Sequence, residues 1–243
     1  MFLSKLPVNV RSRDFRRDFA DVQAMHRRVL SGFPDLEADV PARQHHGVLW
    51  RLDSGQRGYA VYVQSHSRPD WSPLPQDYLT ARAEVRCLQP VLAAIEPGRL
   101  FGFRLVANPT RTVHREGTPG NRGSGKRVGL EQPEDQVQWL LRQGERHGFA
   151  LPETDVFGPD VAPTPIPKLT GYKEDDTKSG RSKITIAQVR FDGHLQVTDP
   201  EALAAALKNG IGRAKAYGCG LLSLAPAQRR TGGRAEGLEA QRA

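Results

Sequence analysis

Residues 209–226 constrain this chain more than any other stretch. Glycines stand at 210, 212, 218 and 220, with Arg213 and Lys215 between them, and the run ends in the apolar Leu221, Leu222 and Leu224. Glycine tolerates positive φ and lets a backbone approach a neighbour or a ligand closely. Exposed amides beside two cations would also suit a phosphate. The spacing is not the Gly-x-x-x-x-Gly-Lys-Ser/Thr of a nucleotide-binding loop, and Gly-x-Gly-x-x-Gly is absent. Residue types alone leave two readings open: a phosphate-facing loop, or a packing loop between a helix and a last strand.

The flanking pattern sets the fold class. Residues 2–10 alternate as a strand, and Ser12 caps a helical pattern through Phe15, Phe19, Val22, Met25, His26, Val29 and Leu30 that ends near Gly32. Two strands follow at 48–52 and 59–64, then a weak helical pattern over 85–95 and a strand over 100–107. Strand, helix, strand, strand, helix, strand is a ferredoxin-like unit. A second unit reads as a helix from Pro133 to Gly148, strands at 169–172 and 184–191, a hairpin turn at Asp192-Gly193, and a return over 195–197. A helix over 201–208, capped by Asp199 with Pro200 at its first position, leads into the glycine-rich run and a last strand at 221–224. The expected class is α+β, two tandem ferredoxin-like (RRM-like, βαββαβ) units with antiparallel sheets. The expected divisions are 1–110, 111–226 and a disordered tail over 227–243.

Charge narrows the partner. The 243 residues carry 35 Lys+Arg against 27 Asp+Glu, net +8, and the tail, with four Arg and two Glu, supplies only +2 of this. A basic body favours an anionic partner, most often nucleic acid. Residues 111–127 concentrate Arg111, Arg115, Arg122, Lys126 and Arg127 against the single acid Glu116, among glycines and prolines that suggest a mobile basic hairpin or loop. Two cysteines without Cys-x-x-Cys spacing, and scattered histidines, suggest neither a metal site nor a disulfide framework. No cofactor is expected. No apolar run approaches the ~18–20 residues a membrane helix needs, so the expected location is the cytoplasm. Aromatics are 7% of residues and the Lys/Arg-Gly-Phe-Gly-Phe type of stacking signature is missing, which points to shape and phosphate recognition.

His26 is the candidate catalytic group. Residues 11–28 hold six Arg and three Asp, so it lies in a cationic field that includes Arg27 and Arg28. Metal-free RNA cleavage needs a base for the ribose 2′-OH, an acid for the departing 5′-oxygen and a cation for the phosphorane charge. Histidine is able to serve as either the acid or the base near neutral pH. The glycine run read instead as a metabolic nucleotide site would predict mononucleotide binding that salt weakens little, whereas RNA binding weakens steeply.

Gly-Ile-Gly-Arg-Ala-Lys-Ala-Tyr-Gly-Cys-Gly-Leu-Leu-Ser-Leu-Ala-Pro226, with Met1-Phe-Leu-Ser-Lys-Leu6, Met25-His26 and Phe103-Arg-Leu-Val-Ala-Asn-Pro109, resembles the CasE family over residues 1–226. These are CRISPR RNA-processing endoribonucleases of the type I-E Cascade complex, within the RAMP superfamily. The resemblance implies His26 as catalytic residue, and a basic hairpin of Arg111, Arg115, Arg122, Lys126 and Arg127 that grips the repeat stem. It implies that Gly210, Gly212, Arg213, Lys215, Gly218 and Gly220 brace the fold and approach the RNA near His26. The implied partners are the CRISPR repeat stem-loop, as precursor and as mature crRNA, the other Cascade subunits and, through them, target DNA. Many members carry tyrosine one turn before the histidine; this chain has Gln23, which leaves the acid–base partner open. Lys178, Arg181 or Lys183 could supply a cation. A stem-loop-binding subunit that does not cut is the alternative.

Overall fold

The computed structural model describes residues 1–34, 41–56, 58–113, 126–154, 158–174 and 181–227. The chain runs β1 (Phe2–Val8), α1 (Arg13–Ala20), α2 (Val22–Leu30), α3 (Ala42–His45), β2 (Leu49–Gly55), β3 (Gly58–Ser65), β4 (Glu84–Cys87), α4 (Gln89–Ala93) and β5 (Leu100–Ala107). It continues through β6 (Thr110–Val113), β7 (Lys126–Gly129), α5 (Pro133–His147), β8 (Phe149–Ala150), β9 (Glu153–Thr154), β10 (Gly158–Pro159), β11 (Val161–Pro165) and β12 (Leu169–Glu174). β13 (Arg181–Ile186), β14 (Val189–Val197), α6 (Pro200–Asn209), a 3₁₀ turn (Lys215–Tyr217) and β15 (Leu222–Pro226) complete it. Among these, no helix is long and apolar enough to cross a membrane.

Two antiparallel sheets carry the fold, in the orders β2-β3-β1-β4 and β11-β14-β5-β15. Both are ferredoxin-like orders, with the first and third strands central. The strand at 100–107, expected to close the first unit, instead opens the second: β5 pairs with β14 and β15. The first sheet is closed by β4, paired with β1, within the region expected to be a weak helix. The Glu84-Val85-Arg86-Cys87 alternation is a strand signal, and the helix that follows is only Gln89–Ala93.

Two other expectations change. The first helix breaks at Asp21, whose backbone is extended (φ −132°) and whose carboxylate accepts from the Gln23 amide, starting a second helix. Asp192-Gly193 is no hairpin turn. Both residues sit inside β14 opposite Arg104 and Phe103 of β5. Asp192 pairs with the Arg104 guanidinium, and a Cβ at Gly193 would collide with the Asp160 carbonyl. The expected helices at 133–148 and 201–208 hold, the former ending on left-handed Gly148 (φ 73°) and the latter starting from the Asp199 cap. The expected tail lies outside the described residues beyond Ala227.

α1 and α2 cover one face of the first sheet through Phe15, Val22, Met25 and Val29 against Leu6, Val8, Val61 and Val63. α5 and α6 cover the second through Trp139, Leu140, Leu203 and Leu207 against Phe103, Leu105, Phe191 and Leu195. Polar side chains on β2 and β3 tie the layers together. Gln64 donates to the Leu207 carbonyl at the end of α6. Arg51, only 4% exposed, donates to the Leu221 carbonyl (3.1 Å), to Ser223 Oγ (3.1 Å) and to Asp53 (2.8 Å). Asp53 is shared with Arg104 (3.3 Å), which also holds Asp192. Arg190 Nε lies 2.8 Å from Asp192 but off the hydrogen-bond line. Truncating one member of a buried pair strands the other and costs about 3–5 kcal/mol. Arg51→Ala should therefore lower the urea midpoint in proportion, whereas Arg86→Ala, whose partner Glu84 is solvent-exposed, should leave it nearly unchanged.

Candidate functional site

The glycine-rich run is laced to β2 at three points. Gly210 (φ 73°) sits where a Cβ would come within 2.8 Å of Leu49 Cδ2, and Gly218 (φ 78°) where one would come within 3.1 Å of the Trp50 ring. The Trp50 indole donates to the Ala216 carbonyl at 2.9 Å. Gly212 (φ 79°) lies against Trp139, and Gly220 (φ 90°) against the Ile211 carbonyl and the Lys215 stem. L-residues rarely adopt these angles, so the four glycines are conformational requirements of the loop. The amides of Gly210, Ile211, Tyr217 and Gly220 are spent inside the protein, on Ala206, Gly220, Ala214 and Val106 carbonyls. The packing reading thus accounts for the glycines, while the charged residues between them face outward: Arg213 is exposed and Lys215 half-buried.

The loop closes onto α2. The Tyr217 ring meets His26 edge-on, centroids 6.1 Å apart with planes at 72°. His26 is half-buried, and its Nδ1 is shut from solvent without a hydrogen-bond partner, as is Gln23 Oε1 one turn earlier. Burial, then the positive charge of Arg43, lowers the His26 pKa below 6.5; Arg27 adds to this and the nearby Ala216 carbonyl opposes it. The imidazole is therefore neutral at physiological pH. Burial, helped by Asp21, raises the Tyr217 pKa, so the phenol keeps its proton.

The expected site residues fall into three groups. Arg27 lies beside the His26 imidazole, and Lys215 stands on the 3₁₀ turn that packs on α2. Arg28 does not join them. It donates to Asp18 at 2.6 Å and lies over the Tyr78 ring, a buried structural ion pair that positions α1 against α2. Arg111 and Arg127 are exposed on the paired strands β6 and β7. Arg127, Arg213 and Lys168 line one open cavity of about 510 Å³ with Gln136 and Gln188, so the hairpin and the glycine run share a basic groove. Arg115, Arg122 and Lys178 lie outside the described residues, as do the side chains of Lys126, Arg181 and Lys183. The β12–β13 hairpin that carries the last two packs on the start of α2, where a Cβ at Gly171 would come within 2.6 Å of Asp21 Oδ1.

Sequence reasoning missed Arg43, Tyr217 and Lys168. Tyr217 lies inside the conspicuous glycine run, so its place there was a usable signal. Arg43 stands in the short helix α3 and Lys168 in a loop, neither within a pattern that marks it. An apolar cavity of about 230 Å³ lies on the other face of α2, lined by Val22, Met25, Trp50, Leu169 and Gly218, and His26 does not open into it.

Comparison with known proteins places the chain in a family. The family described as CRISPR associated protein matches residues 1–226. CRISPR-associated endoribonuclease Cse3 of Thermus thermophilus is 36% identical over 228 residues, covering 93% of this chain and all of that one. The CRISPR system Cascade subunit CasE of Escherichia coli is 32% identical over 195 residues, 75% of this chain and 91% of its own length. A structure of CRISPR endoribonuclease Cse3 bound to 19 nt RNA superposes with a TM-score of 0.73 at 33% identity, over 93% of this chain and 100% of that one. In sequence and fold, the chain belongs to the CRISPR associated protein family that includes Cse3 and CasE.

Proposed function

We propose that this chain is an endoribonuclease that binds the CRISPR repeat stem-loop and cuts the precursor transcript at the 3′ base of the hairpin. It then keeps the crRNA product as a subunit of a type I-E Cascade complex in the cytoplasm, reaching target DNA only through that assembly. The observation that carries the reading is the neutral, half-buried His26, its charged form opposed by Arg43 and Arg27, with Lys215 beside Arg43.

The chemistry follows from these groups. The imidazole takes the proton of the ribose 2′-OH as that oxygen bonds to phosphorus. The P–O5′ bond breaks, and the departing oxygen leaves as a 5′-hydroxyl once protonated. The other fragment ends in a 2′,3′-cyclic phosphate. Tyr217, protonated and ring-to-ring with His26, is the nearby group able to give that proton, a role Gln23 cannot fill. The attacking oxygen belongs to the substrate, so the step requires no metal. Outside the cutting site, Arg111, Arg127, Lys168 and Arg213 face the stem phosphates, and a thin two-stranded hairpin suits the deep, narrow groove of A-form RNA.

Three measurements test this. With repeat RNA in excess EDTA, the protein should cut, and His26→Ala should lose about 10²–10⁴-fold in single-turnover rate at unchanged affinity. Tight binding without cutting by the unaltered protein would instead establish the scaffold reading that Gln23 favours. Because burial lowers the His26 pKa, the base form persists to lower pH than usual. The acidic limb of the kcat/KM profile, which reports the free protein, should have its midpoint below about 6.5, the ordinary histidine value; a midpoint above it would contradict the lowered pKa of His26. Arg111→Ala with Arg127→Ala should weaken stem binding and make log K fall less steeply with log salt, by about 1 in slope for each phosphate that is no longer neutralised.

A further inference from the structure

The Arg43 side chain has no hydrogen bond or ion pair among the described residues. It stands in the short helical turn α3 and is half-buried. Burial lowers its pKa, and no acid among the described residues offsets that cost. The other deep arginines differ: Arg28 has Asp18, and Arg51 has Asp53. Lys215 is in the same condition as Arg43. It is half-buried, its pKa is lowered by burial and then by Arg43 itself, and no acid among the described residues offsets either. Two partly buried cations held together without an acid are unfavourable unless an anion completes them.

The backbone holds this arrangement in place. The Arg43 carbonyl accepts from the Val48 amide, closing the turn directly onto β2. Leu49 and Trp50, the next two residues, are the ones laced to Gly210, Gly218 and Ala216 of the loop that carries Lys215. Arg43 and Lys215 thus approach each other on segments pinned together. Arg43 opposes the charged form of His26, and the turn that carries Lys215 packs on α2. An anion bound between them would lie beside the imidazole.

We propose that Arg43, together with Lys215, grips the scissile phosphate and offsets the charge that builds on its non-bridging oxygens as the 2′-oxygen attacks. The inference rests on His26 as the cutting group and assigns the cation that the reaction needs to Arg43, in place of Lys178, Arg181 or Lys183. Arg43 transfers no proton. Its planar fork presents parallel N–H donors to two phosphate oxygens, which a lysine cannot do. The groups facing His26 are then Arg43, Arg27 and Tyr217, with Asp21 behind the phenol.

The test compares the unaltered protein with Arg43→Gln and Arg43→Lys. The first readout is the single-turnover rate on repeat RNA with protein in excess. The second is affinity for the cleaved stem-loop ending in a 3′-phosphate against the same RNA ending in a 3′-hydroxyl. The third is the His26 imidazole titration followed by NMR. Arg43→Gln should slow cutting about 10²–10³-fold, the effect of removing one preorganised donor. It should also abolish the preference for the phosphate end, leave affinity for the hydroxyl end intact and move the His26 midpoint upward. Arg43→Lys should fall between on all three. Retained affinity for the hydroxyl end shows that each variant is folded. Cutting at the unaltered rate, or an undiminished phosphate preference in Arg43→Gln, would overturn the assignment while leaving His26 as nuclease. If the unaltered protein does not cut, the nuclease reading falls, and the end-group preference alone decides whether Arg43 binds phosphate.

Discussion

The close approach of the glycine-rich loop to β2 is the contact on which the rest depends. At Gly210 and Gly218 the loop backbone stands where no side chain fits, against Leu49 and Trp50 of the other sheet. Gly210, at φ 73° and ψ 161°, occupies a region essentially closed to other residues. Only with these side chains absent can the Trp50 indole reach the Ala216 carbonyl. That bond fixes the turn bearing Lys215 and Tyr217 over α2. A loop held one side chain further away would leave His26 on an open helix face.

The two sheets could in principle slide on each other, since their main cores are separate. Arg51 prevents this. Buried in the first sheet, it spends its donors on the Leu221 carbonyl and Ser223 of the second, and its charge on Asp53. The alternation Arg51–Asp53–Arg104–Asp192–Arg190 then runs from β2 across β5 to β14. Removing these charges from water is costly, and each is acceptable only with its neighbours in register. The ladder therefore selects one relative position of the sheets, where apolar contact alone would accept several. It is the register in which the loop meets α2.

Much of this was legible because it is local. The strand alternations, the Asp199 cap and the glycine run each follow from residues within a few positions of one another, and each appears where expected. The errors share a cause. Asp192-Gly193 has turn chemistry, but Arg104, 88 residues away, claims the carboxylate and keeps the pair inside a strand. The strand at 100–107 follows the first unit in sequence yet pairs with β14 and β15, far downstream. Pairing partners are non-local and leave no periodicity to read. The site divides in the same way: His26 and the glycine run carried signals, whereas Arg43 becomes significant only once no acid is found beside it among the described residues. Arg28 shows the converse, a promising arginine already taken by Asp18.

The basicity of His26 belongs to this assembly and to no single element. Its pKa is lowered first by burial, and the groups that bury it include Tyr217, delivered by the second sheet. The next cause is Arg43, delivered by the turn before β2. On an isolated α2 the imidazole would meet water and sit near its ordinary value. The unpaired Nδ1 of His26 and Oε1 of Gln23 would then be solvated, whereas in the folded chain both are closed in without partners. Each such atom costs about 1–3 kcal/mol. The fold carries that cost, and the cost of two uncompensated cations, at the one place where the two sheets and α2 converge. A chain stabilised only for its own sake would have put an acid there; an anion arriving from outside supplies what the sequence withholds.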